Sequence, residues 1–254
     1  AGARPKALID DGDEKYIAKF SSQTDVYSVV KAEFIAMRLA ALVGLDAAPV
    51  RLAHVAGKDV LLIRRFDRRK IDASWERFAM VSALTLLGLD EMMARYASYQ
   101  ELATIIRHRF TDPKPTLREL FSRLVFNILC GNTDDHARNH AAFWNGSALS
   151  LTPAYDICPQ GRTGREASQA MLIDGDRRFS QIAVCLDAAP SFILSRDEAT
   201  AIAAAQISTI KEQWQAVCDE ATLSVVDREL FWRRQFLNPF AFDGAPETLS
   251  NLAR

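Results

Sequence analysis

Residues 132–139, read N-T-D-D-H-A-R-N, hold most of the side chains able to do chemistry, and Tyr155-Asp156 follows shortly after. Asp134 and Asn139 stand five positions apart, the interval that in a phosphoryl-transfer loop separates a general base from a metal-binding amide. Asp156 arrives where a second metal-binding carboxylate could join them. Such a set supports transfer of a phosphoryl group, in which positioning and charge neutralisation outweigh covalent help. A plainer reading is a capped polar turn, since Asn and Asp commonly follow a glycine stop. Asp135 competes with Asp134 as the proton acceptor, and the five-residue interval favours Asp134. His136 and His140, four apart, offer a third reading as a metal pair. With Asp134 and Asp135 they would make a metal-dependent phosphohydrolase. Because no third His or Cys lies nearby, we expect His136 to brace the loop by a hydrogen bond and His140 to face solvent.

The loop needs a fixed starting point. Leu117, Leu120, Phe121, Leu124, Val125, Ile128 and Leu129 recur at helical spacing just before it, which predicts a helix over 116–130 with one buried face. Pro115 and the Thr116-x-x-Glu119 capping box are expected to start it, and Gly131 to end it.

The first part of the chain reads differently. Short extended segments at 7–9 and 16–20 flank an Asp-Asp-Gly turn, a helix is expected over 29–43, and extended segments return at 50–55 and 60–63. The neighbours of Glu33 at helical spacing are apolar, so its carboxylate should lie near the core. An unpaired charge there would cost several kcal/mol, on the order of a buried charge without compensation. Lys19 on the preceding strand is the nearest cation. A strand lysine and a helix glutamate together hold nucleotide phosphates in kinases, although an ordinary salt bridge would look the same in sequence. The charged run at 63–70 is a solvated linker or a hinge whose main chain meets an adenine edge, with Asp67 near a ribose.

Beyond residue 73 the pattern is mainly helical, with helices expected over 76–89, 98–110, 182–186, 196–218 and 224–236. A hairpin is expected at 141–152 around Asn145-Gly146 and a short strand at 170–173, while the tail after Pro239 reads as loose. At 254 residues and 49% hydrophobic content the chain can fill one large domain or two lobes sharing a crevice. The formal charge of -1 argues against a general nucleic-acid binder. No apolar run is long enough to span a membrane and no signal peptide opens the chain, so a cytoplasmic location is expected. The four widely spaced cysteines read as buried apolar residues.

Together these motifs resemble the HipA family of bacterial toxin serine/threonine kinases. The resemblance is carried by G-A-R-P-K at 2–6, I-A-K-F at 17–20, E-x-x-x-x-R-L-A at 33–40, R-F-D-R at 65–68, F-N-x-L-x-x-N-T-D-D-H-A-R-N at 126–139 and L-T-P-A-Y-D at 151–156. It implies an α+β, protein-kinase-like two-lobe fold, with a small mixed β/α lobe over 1–66 and a larger mainly helical lobe over 67–254. It implies ATP and Mg2+ as the nucleotide and metal. Asp134 matches the family's base, Asn139 and Asp156 its magnesium ligands and Lys19 its phosphate-binding lysine. The segment from Gly2 and Ala3 to Lys6 matches its phosphate loop, and the main chain at Arg64 and Phe66 its adenine hinge. Family members usually carry a further region ahead of this loop, and their position matching Arg64 is often acidic. The implied partners are a DNA-binding antitoxin, with DNA reached only through it, and a protein substrate such as an aminoacyl-tRNA synthetase. A competing expectation is a non-catalytic nucleotide-binding subunit of a repressor complex.

Overall fold

The computed structural model describes residues 5–21 and 27–254. Its first element is a hairpin of β1 (Lys6–Asp10) and β2 (Lys15–Phe20), closed by a turn in which Asp10 Oδ1 accepts from Gly12 N (3.0 Å) and Asp11 Oδ1 from Glu14 N (2.7 Å). After α1 (Val29–Leu42), strands β3 (Val50–Val55) and β4 (Lys58–Arg64) complete an antiparallel sheet in the order β1-β2-β4-β3. The two-residue period of a strand decides its two faces. Tyr16, Ala18, Val60 and Leu62 form a small apolar cluster on the outer face, whereas Leu61 and Ile63 join the main core on the inner one. Lys19 pairs with Leu61 across the ladder and shares that inner side.

Helix α1 is enclosed by the sheet and by the long helix α6 (Arg196–Glu220), which explains why apolar residues appear all round it. One continuous apolar core therefore runs from α1 through the helices behind it to Ala253. At its centre lies α4 (Pro113–Leu129), whose last turns are buried on every side. Its start departs from expectation. Asp112 occupies the N-cap position, and Pro113 and Pro115 sit in the first turn, where a missing N–H costs nothing. Thr116 Oγ1 instead donates back to Asp112 O (2.6 Å), so the expected capping box is not used.

The helix expected over 76–89 is largely absent. Strands β5 (Arg68–Ile71) and β6 (Ser74–Arg77) form a hairpin, and β7 (Ala79–Ser82) pairs with β8 (Ala141–Trp144), leaving only the short α2 (Ala83–Leu86) helical. Sheet pairing with a distant strand overrode the local pattern. The hairpin of β8 and β9 (Leu149–Leu151) follows the expected Asn145-Gly146 turn. Segment 170–173 makes an isolated bridge with Ser98 rather than a strand. The last helices are α3 (Tyr99–Arg109), packed on α4, then α5 (Ile182–Ala188), α7 (Val225–Phe231) and α8 (Glu247–Ala253). The tail is not loose: Phe240, Phe242, Leu249 and Ala253 are buried, and α8 packs on α6. Among the described residues no helix is long and apolar enough to cross a membrane.

Candidate active site

Lys19 reaches inward from β2 and places its Nζ 2.5 Å from Glu33 Oε1 on the first turns of α1. The same ammonium bonds Asp156 Oδ1. Lys19 and Glu33 side chains are 11% and 4% exposed, so the pair anticipated from the apolar neighbours of Glu33 is formed away from water. Burial pulls the Lys19 pKa down, but the carboxylates of Glu33 and Asp156 overcome it and the net shift is upward. Burial likewise raises Asp156, and the Lys19 charge and hydrogen bond, helped by Lys6 and His136, bring it below the ordinary carboxylate value.

Asp156 adopts a left-handed backbone with φ of 60°, uncommon outside glycine but tolerated by Asp. Its segment is held in place just before this residue. Ala154 N donates to Asp46 O (2.7 Å), Ala48 N to Ala154 O (2.9 Å), and Tyr155 OH to Arg138 O (2.7 Å). The carboxylate is thereby tied both to the α1–β3 connection and to the 132–139 loop.

That loop begins where expected. Gly131 takes φ of 75° after α4, and Asn132 Nδ2 donates to Asn127 Oδ1 (2.9 Å) back on the helix. Asp134 is exposed at the cleft, whereas Asp135 is 2% exposed and turned into the core. Of the two carboxylates, Asp134 is the one that lines the cleft. Asn139 ends a short 3-10 turn, and its Nδ2 donates to Asp134 O (3.3 Å), an orientation that points its Oδ1 away from that bond.

The histidines exchange the parts expected of them. His140, the residue before β8, is buried, with Nε2 2.9 Å from Asp135 Oδ1. His136 lines the cleft, and its Nδ1 is buried without a hydrogen-bond partner among the described residues. It does not brace the loop. With Asp135 and His140 facing inward and Asp134 and His136 facing the cleft, the phosphohydrolase set is split between two sides of the chain. Among the described residues no cluster of three His, Cys, Asp or Glu could hold a metal ion.

Lys6, Lys19, Asp134, His136, Asn139 and Asp156 open on one cleft of about 540 Å3 between the sheet and the helical body. Arg64, Phe66 and Asp67 line it too, and Glu33 stands behind Lys19. Gly2 and Ala3 lie outside the described residues. The Phe66 ring packs against Phe143 and Tyr155, which anchors the segment leaving β4. Arg64 N already donates to Pro49 O (2.9 Å). Both Asp67 oxygens accept from Arg65 (2.8 and 2.7 Å), with Arg68 adding a third bond (2.6 Å). Burial pushes the Asp67 pKa up, and these arginines bring it net downward. A ribose hydroxyl reaching Asp67 would therefore share a carboxylate already bonded to arginine.

Several lining residues were not read from the sequence. Met80 was hidden by the expected helix. Arg138, inside the central motif, pairs with Glu91 across the cleft mouth. Ile17, Ile63 and Tyr155 supply apolar wall. The oxygens of Asn139 and Asp156 fit a hard cation such as Mg2+ that retains water ligands.

A family model described as HipA-like C-terminal domain matches residues 1–214. The chain belongs to that family. It is 28% identical over 186 residues to the serine/threonine-protein kinase toxin HipA of Shewanella oneidensis, an alignment covering 62% of this chain and 42% of that protein. The chain spans about a third to a half of the length of the curated relatives it matches. Among solved structures, it is similar to the Shewanella oneidensis HipA, HipB and operator DNA complex, with TM-score 0.75 and 24% identity over 91% of this chain and 61% of that one. It is also similar to the Helicobacter pylori proinflammatory kinase CtkA, with TM-score 0.57 and 19% identity over 90% and 91% of the two chains. The HipA-like fold is thus mixed α/β and protein-kinase-like, as the sequence led us to expect.

Proposed function

We propose that this chain is the catalytic region of an ATP- and Mg2+-dependent serine/threonine protein kinase, and that the whole protein is the toxin of a toxin–antitoxin pair. The observation that supports this reading best is the meeting of Lys19, Asp134, Asn139 and Asp156 in a single cleft, although they come from three separate parts of the sequence. Lys19, held from behind by Glu33, presents fixed positive charge to phosphate oxygens. Asn139 and Asp156 would hold Mg2+, which when bound neutralises phosphate charge during transfer.

Asp134, exposed at the cleft, accepts the proton of an acceptor hydroxyl as that oxygen bonds to the γ-phosphorus and ADP departs. Phe66 and the main chain beside it form the wall against which an adenine edge would lie. Division into a nucleotide-binding part over 1–66 and a catalytic part over 67–254 belongs to the same proposal. A DNA-binding antitoxin partner is proposed because the similar HipA was solved with HipB and operator DNA. A translation component such as an aminoacyl-tRNA synthetase is the proposed acceptor, following the family resemblance.

The test is incubation with γ-labelled ATP and Mg2+, with and without candidate acceptors. Label should appear on Ser or Thr with the native protein and vanish with Asp134→Ala. Transfer that survives this substitution removes Asp134 as the base, and nucleotide binding without turnover in the full-length protein favours a non-catalytic subunit.

A further inference from the structure

Asp135 presents a problem that the kinase reading leaves untouched. It is a carboxylate with 2% exposure, next in sequence to the base, and it contributes nothing to the cleft. Burying such a group costs several kcal/mol unless it is fully partnered, and an apolar residue of similar volume would often be at least as stable. Its partners are specific. Tyr99 OH at the start of α3 donates to Asp135 Oδ2, and His140 Nε2 lies 2.9 Å from Asp135 Oδ1. The Tyr99 and His140 rings meet edge to face at 5.4 Å, and Tyr99 and His140 are 0% and 3% exposed.

The positions of these residues matter more than their burial. Asp135 is the residue after Asp134, and His140 is the residue after Asn139. His136 and His140 have extended backbones, with φ/ψ of -98/164 and -114/132 degrees, and only the Ala137–Asn139 turn lies between them. Asp134 and Asn139 consequently open on the cleft, while the neighbour of each points into the core. A bond between the two core-side neighbours restrains the span between the two cleft-side groups.

We propose that Asp135, His140 and Tyr99 form a buried positioning clamp that sets the separation and aim of Asp134 and Asn139. The inference rests on the kinase reading and adds to it three residues that touch neither nucleotide nor acceptor. Main-chain bonds extend the clamp. His140 O accepts from Ala83 N (2.8 Å), and Tyr99 N donates to Leu172 O (2.9 Å), so α2, α3 and the segment beyond Asp156 all bear on the loop. The cluster supplies directional bonds across the loop, which apolar filling would not. Because reacting groups displaced by about 1 Å can lose about 100-fold in rate, such restraint is functionally significant.

The experiment compares the full native chain with Asp134→Ala, Asp135→Asn, Tyr99→Phe, His140→Gln and His140→Leu. Its main readout needs no turnover: binding of the non-hydrolysable analogue adenylyl imidodiphosphate, titrated by calorimetry with and without Mg2+. Loosening Asn139 should raise the Mg2+ concentration for half-maximal binding by about 10-fold while leaving Mg2+-free affinity unchanged, and should lower kcat for labelled transfer by about 10- to 100-fold. His140→Gln, which keeps a donor near the Nε2 position, should retain more of both than His140→Leu; a residue serving only as packing would show the reverse order.

Thermal melts separate misfolding from mispositioning. Should Asp135→Asn fail to fold, Tyr99→Phe, which removes a single hydroxyl, carries the test. If the native chain shows Mg2+-dependent binding and every folded clamp variant matches it, the clamp is overturned and the kinase reading stands. If the native chain shows no Mg2+-dependent binding at all, both are overturned.

Discussion

Substituting Gly131 by Ala separates two costs that the structure makes distinct. At φ of 75° a residue with a Cβ pays about 1–2 kcal/mol for left-handed backbone. The added Cβ would also lie 2.7 Å from Gln235 O and 3.1 Å from Gln235 C and Cα, all backbone atoms. The neighbouring chain cannot withdraw freely, because Leu237 N donates to Leu129 O (2.7 Å) at the end of α4. Overpacking of this kind costs about 1–3 kcal/mol, for a total of about 2–5 kcal/mol. Gly57, in the β3–β4 turn, supplies the control. Its φ is 76° but nothing lies within 4 Å of an added Cβ, so Gly57→Ala should pay only the backbone cost of about 1–2 kcal/mol. At about 2–4 °C per kcal/mol for a chain of this size, Gly131→Ala should lower Tm by about 4–20 °C and Gly57→Ala by about 2–8 °C. Urea and thermal unfolding followed by tryptophan fluorescence measure both. Equal losses within about 0.5 kcal/mol would refute the argument that close approach of Gln235 is what demands glycine at the head of the loop.

Three further outcomes are expected. Lys19→Met strips the cation from Glu33 and Asp156 and should cost about 3–5 kcal/mol in urea unfolding, with loss of Mg-ATP binding by calorimetry; a change under about 1 kcal/mol would mean that the ion pair is not structurally important. The pKa of Asp156 is lowered in the folded state, so its contribution is present above the ordinary carboxylate value and is lost as pH falls through the lowered native one. The stability gap between native protein and Asp156→Asn should therefore grow from about pH 3 to pH 6 and then level off, and a gap that widens on acidification contradicts the sign. Burial raises the thiols of Cys130 and Cys218 to about 12 and that of Cys185 as well, while Cys158 is half-buried. A thiol reagent at neutral pH should label Cys158 first, with the others reacting only on unfolding; rapid native labelling of Cys130 would place it elsewhere.

Features governed by neighbours along the chain were legible in the residues alone. The spacing of Leu117 to Leu129 located α4, and Gly131 marked its end. The apolar surroundings of Glu33 demanded a cation, and Lys19 on the preceding strand supplies it. The spacing of Asp134, Asn139 and Asp156 pointed to one site, and the three do open on one cleft. For α4 and Glu33 local periodicity determines which side of an element a residue occupies, because backbone geometry repeats at about 3.6 residues, whereas the loop residues were read from the interval typical of a phosphoryl-transfer loop.

Tertiary structure decided what periodicity could not reach. Residues 79–82, inside the expected helix, became strand because β8, far along the chain, offers β7 a ladder. The tail packed down because α6 presents a surface for α8. In the short irregular loop after Gly131 no repeat dictates facing; the five-residue interval already favoured Asp134 over Asp135, but the burial of His140 beside Asp135 and Tyr99 was visible only in the packed structure. The loop's own residues specify which groups are available. On the core side of the loop, Asp135 and His140 meet Tyr99 from a helix more than thirty residues earlier, a contact that only packing of distant segments brings about.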